Sequence, residues 1–252
     1  MSSKLHIMAI GAHAGDMEIT AGAGLLLHTH RGNSVTIVHL TLGEKGHQTL
    51  PEEVYRVQKF NEAKAAASAL GAEMRVLPYK DGELVPSEEA KIAVADLIRE
   101  IRPTHVITHW PGSIHKDHIA TFHIVKDSLF YASLPSIPRS NPPHETNGPY
   151  LTENWEDDVN YVPQIYLDVT PVFHDWLKAI QLYQLYAGGI SDFDYTALAR
   201  QRGVTAGCKY AITFSLQRPL NVYLSDGFNQ TLRLYTSSSP IFRPQLKMNT
   251  VG

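Results

Sequence analysis

Two short clusters of histidine and acidic residues are the segments of this sequence best suited to chemistry. The first reads Gly11-Ala-His-Ala-Gly-Asp-Met-Glu18, and the second, much further along the chain, reads His115-Lys-Asp-His118. Imidazole nitrogens and carboxylate oxygens are common ligands of zinc and other divalent metals in enzymes. The residue types therefore indicate a metal site, but each cluster alone is weak evidence, because short motifs also occur by chance.

The elements around the two clusters decide whether they can meet. Strand patterns alternate with helix patterns four times, with strands expected at 5–11, 34–41, 73–78 and 104–109 and helices at 17–31, 52–70, 87–101 and 117–132. A further strand and helix are expected at 164–170 and 171–186. This alternation predicts an α/β fold, namely a Rossmann-like, doubly wound, mostly parallel sheet with helices on both faces.

A doubly wound sheet would bring the clusters together. With strand order 3-2-1-4, strands one and four are neighbours, and ligands bind at their carboxyl ends, where the strand order reverses. We therefore predict that His13, Asp16 and His118 bind Zn²⁺, or another divalent metal, at this point. Three such ligands leave a position open for water, and zinc lowers the pKa of that water toward ~7.

The remaining polar residues of the clusters receive supporting roles. His115, Asp117 and Glu18 are expected to act in acid–base chemistry or to orient the ligands. Glu18 is also explained by the preference of acidic side chains for helix N-termini. His109 is interpreted as a core residue of its strand, although it lies near the strand end. No dinucleotide cofactor is expected, because the glycines at 11 and 15 lack the Rossmann spacing.

Composition limits the partners and the location. Hydrophobic residues make up 43% and charged residues 19%, with a net charge of −3, which is typical of a globular protein with a large core. There is no basic run for nucleic acid, no apolar stretch of ~18 residues for a membrane and no signal-peptide pattern. The single cysteine, Cys208, suits a reducing compartment. We expect a cytoplasmic protein with a small-molecule substrate, and a homo-oligomer stays open.

One α/β domain is expected over residues 1–252. Prolines are frequent in residues 134–163, and this segment is predicted to be a long loop, which in a compact domain often has a function. A C-terminal extension is expected from about residue 218, where alternating and proline-containing segments begin.

At these motifs the chain resembles the LmbE/PIG-L-type deacetylases, which use zinc to remove acetyl groups from N-acetylglucosamine-like substrates. The family's first motif reads Ala-His-Pro-Asp-Asp, followed at once or after one residue by Glu, and its second reads His-x-Asp-His. Further landmarks are the loop at 41–46, the Asp81-Gly-Glu-Leu84 turn and the segment Arg202–Tyr210. The resemblance covers roughly residues 5–215, through ordered landmarks and without uniform identity.

The resemblance implies a role for each matched residue. His13, Asp16 and His118 correspond to the zinc ligands. His115 corresponds to the histidine that stabilises the oxyanion or protonates the leaving group, and Asp117 would orient His115 through a hydrogen bond. Glu18 fits the version of the motif with one extra residue before the glutamate.

Gly15 is the main departure from the family motif. The family carries an aspartate there, taken as the general base, and such a base is worth ~10²–10⁴-fold in rate. Another group, such as Glu18 or Asp117, would replace it, or the substrate would supply its own base. The expected function is metal-dependent removal of an acetyl or other acyl group from an N-acetylated amino sugar or similar amide. The alternative is a catalytically weak or inactive member that binds metal and a carbohydrate-like ligand.

Overall fold

The computed structural model describes residues 4–154, 159–184 and 192–217, with side chains given except at 192–194. Residues Met1–Gln217 form one compact unit. The predicted C-terminal extension from 218 lies outside the described residues, as does the end of the helix expected at 171–186. Within the described residues, no helix is long and apolar enough to span a membrane.

Strands and helices alternate along most of the described chain. The strands are β1 His6–Gly11, β2 Ser34–His39, β3 Glu73–Val76, β4 His105–His109, β5 Asn147–Thr152, β6 Ile165–Asp168 and β7 Ala211–Leu216. The helices are α1 Asp16–Thr20, α2 Gly22–His30, α3 Glu52–Ala69, α4 Glu88–Ile101, α5 Lys116–Ser133, α6 Phe173–Ile180 and α7 Asp192–Ala206.

The strands form one mixed sheet. Its order is β3-β2-β1-β4-β5-β7-β6, and β7 pairs antiparallel with both β5 and β6, whereas the other pairings are parallel. The first four strands have the predicted order 3-2-1-4, so the α/β, mostly parallel fold is confirmed. The strand expected at 164–170 is β6, Ile165–Asp168, whereas β7 and its antiparallel pairing were not expected from the sequence pattern.

The segment 134–163 is not one long loop, so that prediction is wrong. It contains β5, which pairs with β4 inside the sheet. The pairing register shifts between His105 and Ile107, opposite Gly148 and Pro149, and such a bulge accommodates a proline inside a sheet. A Cβ at Gly148 would lie 2.6 Å from the Val106 carbonyl oxygen, so this close approach requires glycine.

The expected single helix at 17–31 is interrupted at Ala21. The indole N–H of Trp176, on α6, donates to the Glu18 carbonyl at 2.7 Å. A Cβ at Gly22 would lie 2.8 Å from the Trp176 Nε1, so glycine makes room for the indole. A side chain inserted into the helical hydrogen-bond ladder breaks the helix at that point, which separates α1 from α2.

A buried arginine fixes the connection from α5 to β5. Arg99, on α4, is 2% exposed. Its guanidinium donates five hydrogen bonds to carbonyls at the end of α5 and in the following loop, namely those of Tyr131, Ala132, Leu134, Ile137 and Asn141. These bonds satisfy the carbonyls that a helix end leaves without partners. The proline-rich connection is therefore anchored to the domain before β5 begins.

Candidate metal centre

The site lies at the carboxyl ends of the central parallel strands. β1 and β4 are hydrogen-bonded neighbours, with Met8 paired to Val106, so the chain leaving each strand enters the same crevice. The first cluster follows β1 directly, and the second begins at the N-terminus of α5. The loop after β3 adds Asp81. This is the topological switch point at which α/β sheets bind ligands.

Asp16 stands at the centre of the predicted ligand set. Its Oδ2 lies 3.3 Å from Nδ1 of His13 and 3.5 Å from Nε2 of His118. The same oxygen accepts the His13 backbone N–H at 2.7 Å. Burial favours a raised pKa for Asp16, but His118 and His13 outweigh it and hold the pKa well below its usual range. The carboxylate is therefore ionised and suited to bind a cation.

Three overlapping groups of side chains bring potential metal-ligand atoms within 4.8 Å of one another. They are His13–His115–His118, Asp16–His109–His118 and His13–Asp81–Asp117. The predicted trio takes His13 and His118 from the first group and Asp16 and His118 from the second. Imidazole nitrogens and carboxylate oxygens fit a divalent cation by their chemistry, so the residues present suit a metal.

His109 lies inside this cluster, although the sequence interpretation left it in the core. Its Nε2 is 3.1 Å from Oδ2 of Asp16 and accepts the Ala12 backbone N–H at 2.9 Å. A nitrogen that accepts from Ala12 has no proton to donate to Asp16. Burial, followed by the nearby His118, lowers the pKa of His109 to about 4, so the ring is neutral. We place His109 as support for the β1 loop, since its lone pair is engaged by Ala12.

Two carboxylates face the second nitrogen of His13. Nε2 of His13 lies 3.1 Å from Oδ1 of Asp81 and 3.4 Å from Oδ2 of Asp117. Burial favours a lowered pKa for His13, but Asp16, Asp117 and Asp81 raise it well above the usual value. Carboxylates beside the outer nitrogen of a metal-binding histidine fix its tautomer and ring orientation. His13 would then offer Nδ1, the nitrogen facing Asp16, to the metal.

The prediction that the Asp117 carboxylate orients His115 is therefore wrong. The carboxylate contacts His13 and accepts the Gly82 N–H at 2.6 Å, and it does not hydrogen-bond to His115. The link to His115 is made instead by the Asp117 backbone N–H, which donates to Nδ1 of His115 at 3.2 Å. The sequence spacing suggested the pair but could not show which atoms join.

His115 caps the N-terminus of α5 with its own ring. Because Nδ1 accepts a backbone N–H, the neutral ring carries its proton on Nε2. Burial, followed by the neighbouring His13 and His118, lowers the pKa of His115, which keeps the ring neutral near pH 7. A neutral imidazole with Nε2–H can donate a hydrogen bond to a developing oxyanion.

Glu18 does not reach the pocket, which contradicts its expected role as an acid or base acting on substrate. Its side chain is fully buried, accepts from the Tyr183 hydroxyl at 2.8 Å and lies 3.2 Å from Nε2 of His39. Burial favours a raised pKa, but His39 and the hydrogen bond from Tyr183 lower it. Glu18 is thus an ionised anchor for Tyr183, which itself lines the pocket.

The pocket above the cluster has a volume of about 240 Å³. His13, Asp16, His115 and His118 line it, and the other lining residues are Ala14, Gly15, Ile19, Gly43, Gly46, Tyr55, Lys59, Asp81 and Tyr183. The predicted ligands and His115 therefore share one cavity, whereas Asp117 and Glu18 act from outside it.

Several residues of the pocket and of the cluster beneath it received no role from the sequence. Asp81 stood in a recognised turn and His109 at a strand end, so their positions carried a usable signal. Lys59 and Tyr183 come from α3 and from the turn after α6, and nothing in their local sequence indicates that they face a pocket. Only the packing of these helices against the β1 loop places them there.

Comparison with known proteins supports the sequence resemblance. Residues 8–129 match the family model described as PIG-L, GlcNAc-PI de-N-acetylase. This stretch runs from β1 into α5 and contains His13, Asp16, Asp81, His115 and His118. The match to the PIG-L family that the motifs predicted therefore lies in residues 8–129, within the compact unit.

Two relatives carry different activities in their names. The 4-oxalmesaconate hydratase of Pseudomonas putida is 26% identical over 220 residues, which cover 82% of this chain and 83% of the relative. The 1D-myo-inositol 2-acetamido-2-deoxy-alpha-D-glucopyranoside deacetylase of Rhodococcus erythropolis is 31% identical over 181 residues, 60% of this chain and 62% of the relative. This chain thus spans less than two thirds of that deacetylase.

A solved structure shares the fold over nearly its whole length. GalB, the 4-carboxy-2-hydroxymuconate hydratase from Pseudomonas putida KT2440, matches with a TM-score of 0.78 and 22% identity, covering 89% of this chain and 99% of that chain. Further relatives and structures of this fold are named as deacetylases. The named relatives are enzymes, so the alternative of a binding protein without catalysis is not favoured.

Proposed function

We propose that this protein is a metal-dependent hydrolase that removes an acetyl or other acyl group from an N-acetylated amino sugar or a similar amide. The observation that carries the proposal is the position of Asp16, whose Oδ2 lies within 3.5 Å of nitrogens of His13 and His118 at the floor of the pocket. The deacetylase relatives support the substrate class. We propose Zn²⁺ as the metal and a cytoplasmic location, which suits the single cysteine.

The residues around the metal position have different roles in the proposed hydrolysis. A divalent ion bound there acidifies water and polarises the substrate carbonyl. His115, neutral with its proton on Nε2, would donate a hydrogen bond to the developing oxyanion. The proton that the leaving amine needs would come from the attacking water, through the group that accepts it. With Gly15 in place of a carboxylate, Asp81 is the lining carboxylate other than the predicted ligand Asp16. We assign proton acceptance from the attacking water to Asp81.

Metal analysis tests the ligand assignment. His13→Ala and His118→Ala are each expected to lose most of the bound metal and the acetate-releasing activity, because each removes one of three ligands. His123→Ala, an exposed histidine on α5, is the matched control and keeps both. The measurement is metal content by elemental analysis beside acetate release from a panel of N-acetyl amino sugars. A full equivalent of tightly bound zinc in both ligand variants would overturn the site.

Hydration of an unsaturated carboxylic acid is a second candidate function. Two observations favour it. The hydratase relative matches over more of its length than the deacetylase does, and Gly15 stands where deacetylases of this family carry the base. In hydration the water oxygen bonds to one alkene carbon and a proton is delivered to the other, so no group leaves. The same metal position and His115 would serve both reactions.

One pair of assays separates the two functions. Hydrolysis releases acetate from N-acetylated sugars, whereas hydration of a conjugated dienoic acid such as a muconate removes its ultraviolet absorbance. The purified metal-loaded protein is given both substrate types. Acetate release without loss of diene absorbance supports the hydrolase, and the reverse result replaces it with the hydratase.

A further inference from the structure

A buried lysine lies beside the position at which the family motif is broken. Lys59, on α3, is 5% exposed and lines the pocket. Its Nζ donates to the Ala14 carbonyl at 2.6 Å and lies 4.6 Å from the centre of the Tyr183 ring. Among the described residues, no carboxylate forms an ion pair with Lys59.

The space at Gly15 is directly next to this ammonium group. A Cβ built at Gly15 would lie 3.7 Å from Nζ of Lys59 and 3.7 Å from the Tyr183 ring. These are ordinary van der Waals contact distances, so a group of this size fits at position 15 without a clash, and Gly15, Lys59 and Tyr183 all line the pocket. A ligand group placed at position 15 would therefore touch both the ammonium and the aromatic ring.

Carboxylates near the Lys59 ammonium offset its burial only in part, and among the described residues none of them forms an ion pair with it. They are Asp16, Glu62, Glu18 and Asp81. Taking a charged amine out of water costs several kcal/mol unless its protons find partners and its charge finds a counter-charge. The Ala14 carbonyl takes one of three N–H donors, and the ring face gives a modest further attraction. The Tyr183 hydroxyl donates to Glu18, and Lys59 contacts the face of the Tyr183 ring. An anion at position 15 would supply a direct hydrogen-bond and ion-pair partner for the ammonium.

We propose that Lys59 recognises a carboxylate of the substrate, which occupies the space left by Gly15. The substrate is accordingly an acidic compound, such as an acidic N-acyl compound or a polycarboxylic acid. The inference rests on the proposed function only in taking this pocket as the substrate site. It assigns Lys59 as a specificity-determining residue. It also gives a use to the space that the family's aspartate side chain would fill.

A bracing role for Lys59 is the competing explanation. In that case the ammonium holds the Ala14 carbonyl, and with it the loop that carries His13, without contacting any ligand. Bracing predicts equal effects of Lys59 on ligands with one and with two carboxylates, whereas recognition predicts an effect only on the ligand that carries the second carboxylate. A matched pair of probes therefore distinguishes the two.

The experiment uses succinate and its monoamide succinamate, titrated into the full-length protein by calorimetry. Both retain one carboxylate for the metal end of the pocket, and only succinate carries a second. We expect succinate to bind about tenfold more tightly or better, the usual gain from a charge-assisted hydrogen bond. Equal affinity of the two probes for the wild-type protein would overturn the proposal.

Variants of Lys59 test whether this residue causes the preference for succinate over succinamate. Lys59→Met is expected to abolish the difference between the probes and leave succinamate binding unchanged, while Lys59→Arg preserves it. Lys64→Met, at an exposed position of the same helix, is the control and keeps the preference. If Lys59→Met does not fold, Lys59→Gln takes its place. A preference that persists in the folded Lys59 variant contradicts the proposal.

The ratio of the two probe affinities tests Lys59 independently of whether the protein catalyses hydrolysis. When the metal is removed by chelation, both probes are expected to bind more weakly, but their ratio is retained because Lys59 is untouched. If the protein binds no metal, the proposed hydrolysis fails while the probe ratio still tests Lys59. If metal and acetate release are normal but the ratio is one, only the acidic-substrate inference fails.

Discussion

At the scale of single residues, the site depends on carboxylates that set the orientation of imidazole rings. His13 presents Nδ1 to Asp16 because Asp81 and Asp117 lie on its other side. His115 is held in one tautomer by the backbone of Asp117. The groups beside the rings therefore determine which ring nitrogens face the metal position and the pocket.

Asparagine variants should separate the two carboxylates beside His13. Asp117→Asn is expected to weaken zinc binding by about 10–100-fold, as loss of a ligand-orienting group does, with kcat largely restored at saturating zinc. Asp81→Asn is expected to lower kcat by about 10²-fold or more even with zinc saturated, because the proton acceptor is lost. Chelator competition and steady-state kinetics measure both, with the exposed Asp175→Asn as control. The assignment fails if the two variants behave alike.

Gly15 can be tested through stability as well as activity. Its φ is +108°, so Gly15→Ala is expected to cost about 1–3 kcal/mol of unfolding free energy through backbone strain. Gly15→Asp should cost less, because its carboxylate meets the Lys59 ammonium. Urea unfolding measures the difference, which should vanish in a Lys59→Met background. Because Asp81 is assigned as the proton acceptor and a substrate carboxylate is placed at position 15, we expect acetate release by Gly15→Asp to be unchanged or lower; a rise is expected only if hydrolysis lacks nothing but that base. Unchanged or lower release would refute the idea that only the base is missing.

The sequence predicted the site only in part. His13, Asp16, His115 and His118 stood in recognisable motifs and meet in one pocket. The partner of Asp117 was wrong and Glu18 lies behind the pocket, because sequence spacing does not determine the direction of a side chain. Lys59 reaches the pocket by tertiary packing, for which the local sequence carries no pattern.

At the scale of elements, α2 carries a histidine that is kept neutral by the fold. His28 is 7% exposed, and its Nδ1 accepts from the Asn33 amide at 3.2 Å. Burial, with help from Arg31 and His105, lowers the pKa of His28 to about 4, whereas an unfolded histidine titrates near ~6.5. As the pH falls below ~6.5, the unfolded chain binds a proton that the folded chain does not, so stability present above that pH is lost toward pH 4.

His28→Gln should remove this part of the acid sensitivity. The amide is neutral at every pH, so the variant should lose less unfolding free energy than wild type between about pH 7 and pH 4.5, with a difference on the order of 2 kcal/mol after solvent screening. His30→Gln, at an exposed position of the same helix, is the control and should follow wild type. Urea unfolding across this pH range measures the unfolding free energy of each protein. If that free energy falls equally with pH in wild type and His28→Gln, the role assigned to His28 is wrong.

At the scale of the whole molecule, the sequence predicted one part of the sheet much better than the other. β1, β2 and β4 are apolar or β-branched runs, β3 alternates polar and apolar residues, and helices separate all four, so local pattern is sufficient for these units. β5 contains Gly148 and Pro149, which signal a turn, and it is a strand because β4 and β7 pair with it. Tertiary pairing outweighed local propensity there, which is the usual reason for such errors.

Truncation tests how much of the chain the site needs. The site residues named above lie between His13 and Tyr183, within the compact unit that ends at Gln217. Ending the chain after Gln217 is therefore expected to leave metal content and thermal midpoint near those of the full chain. Elemental analysis and thermal unfolding measure both, with His13→Ala in the shortened chain as the metal-free reference. Loss of metal on truncation alone would show that residues 218–252 contribute to the site.

The bond from Trp176 to the Glu18 carbonyl and the bond from Tyr183 to the Glu18 carboxylate join α6 to α1 at a single residue. Asp16 begins α1 two residues before Glu18, so we expect the metal position and the aromatic wall of the pocket to be coupled. A ligand that displaces Tyr183 also pulls on the helix that holds Asp16. By thermodynamic reciprocity, the factor by which metal changes ligand affinity equals the factor by which ligand changes metal affinity.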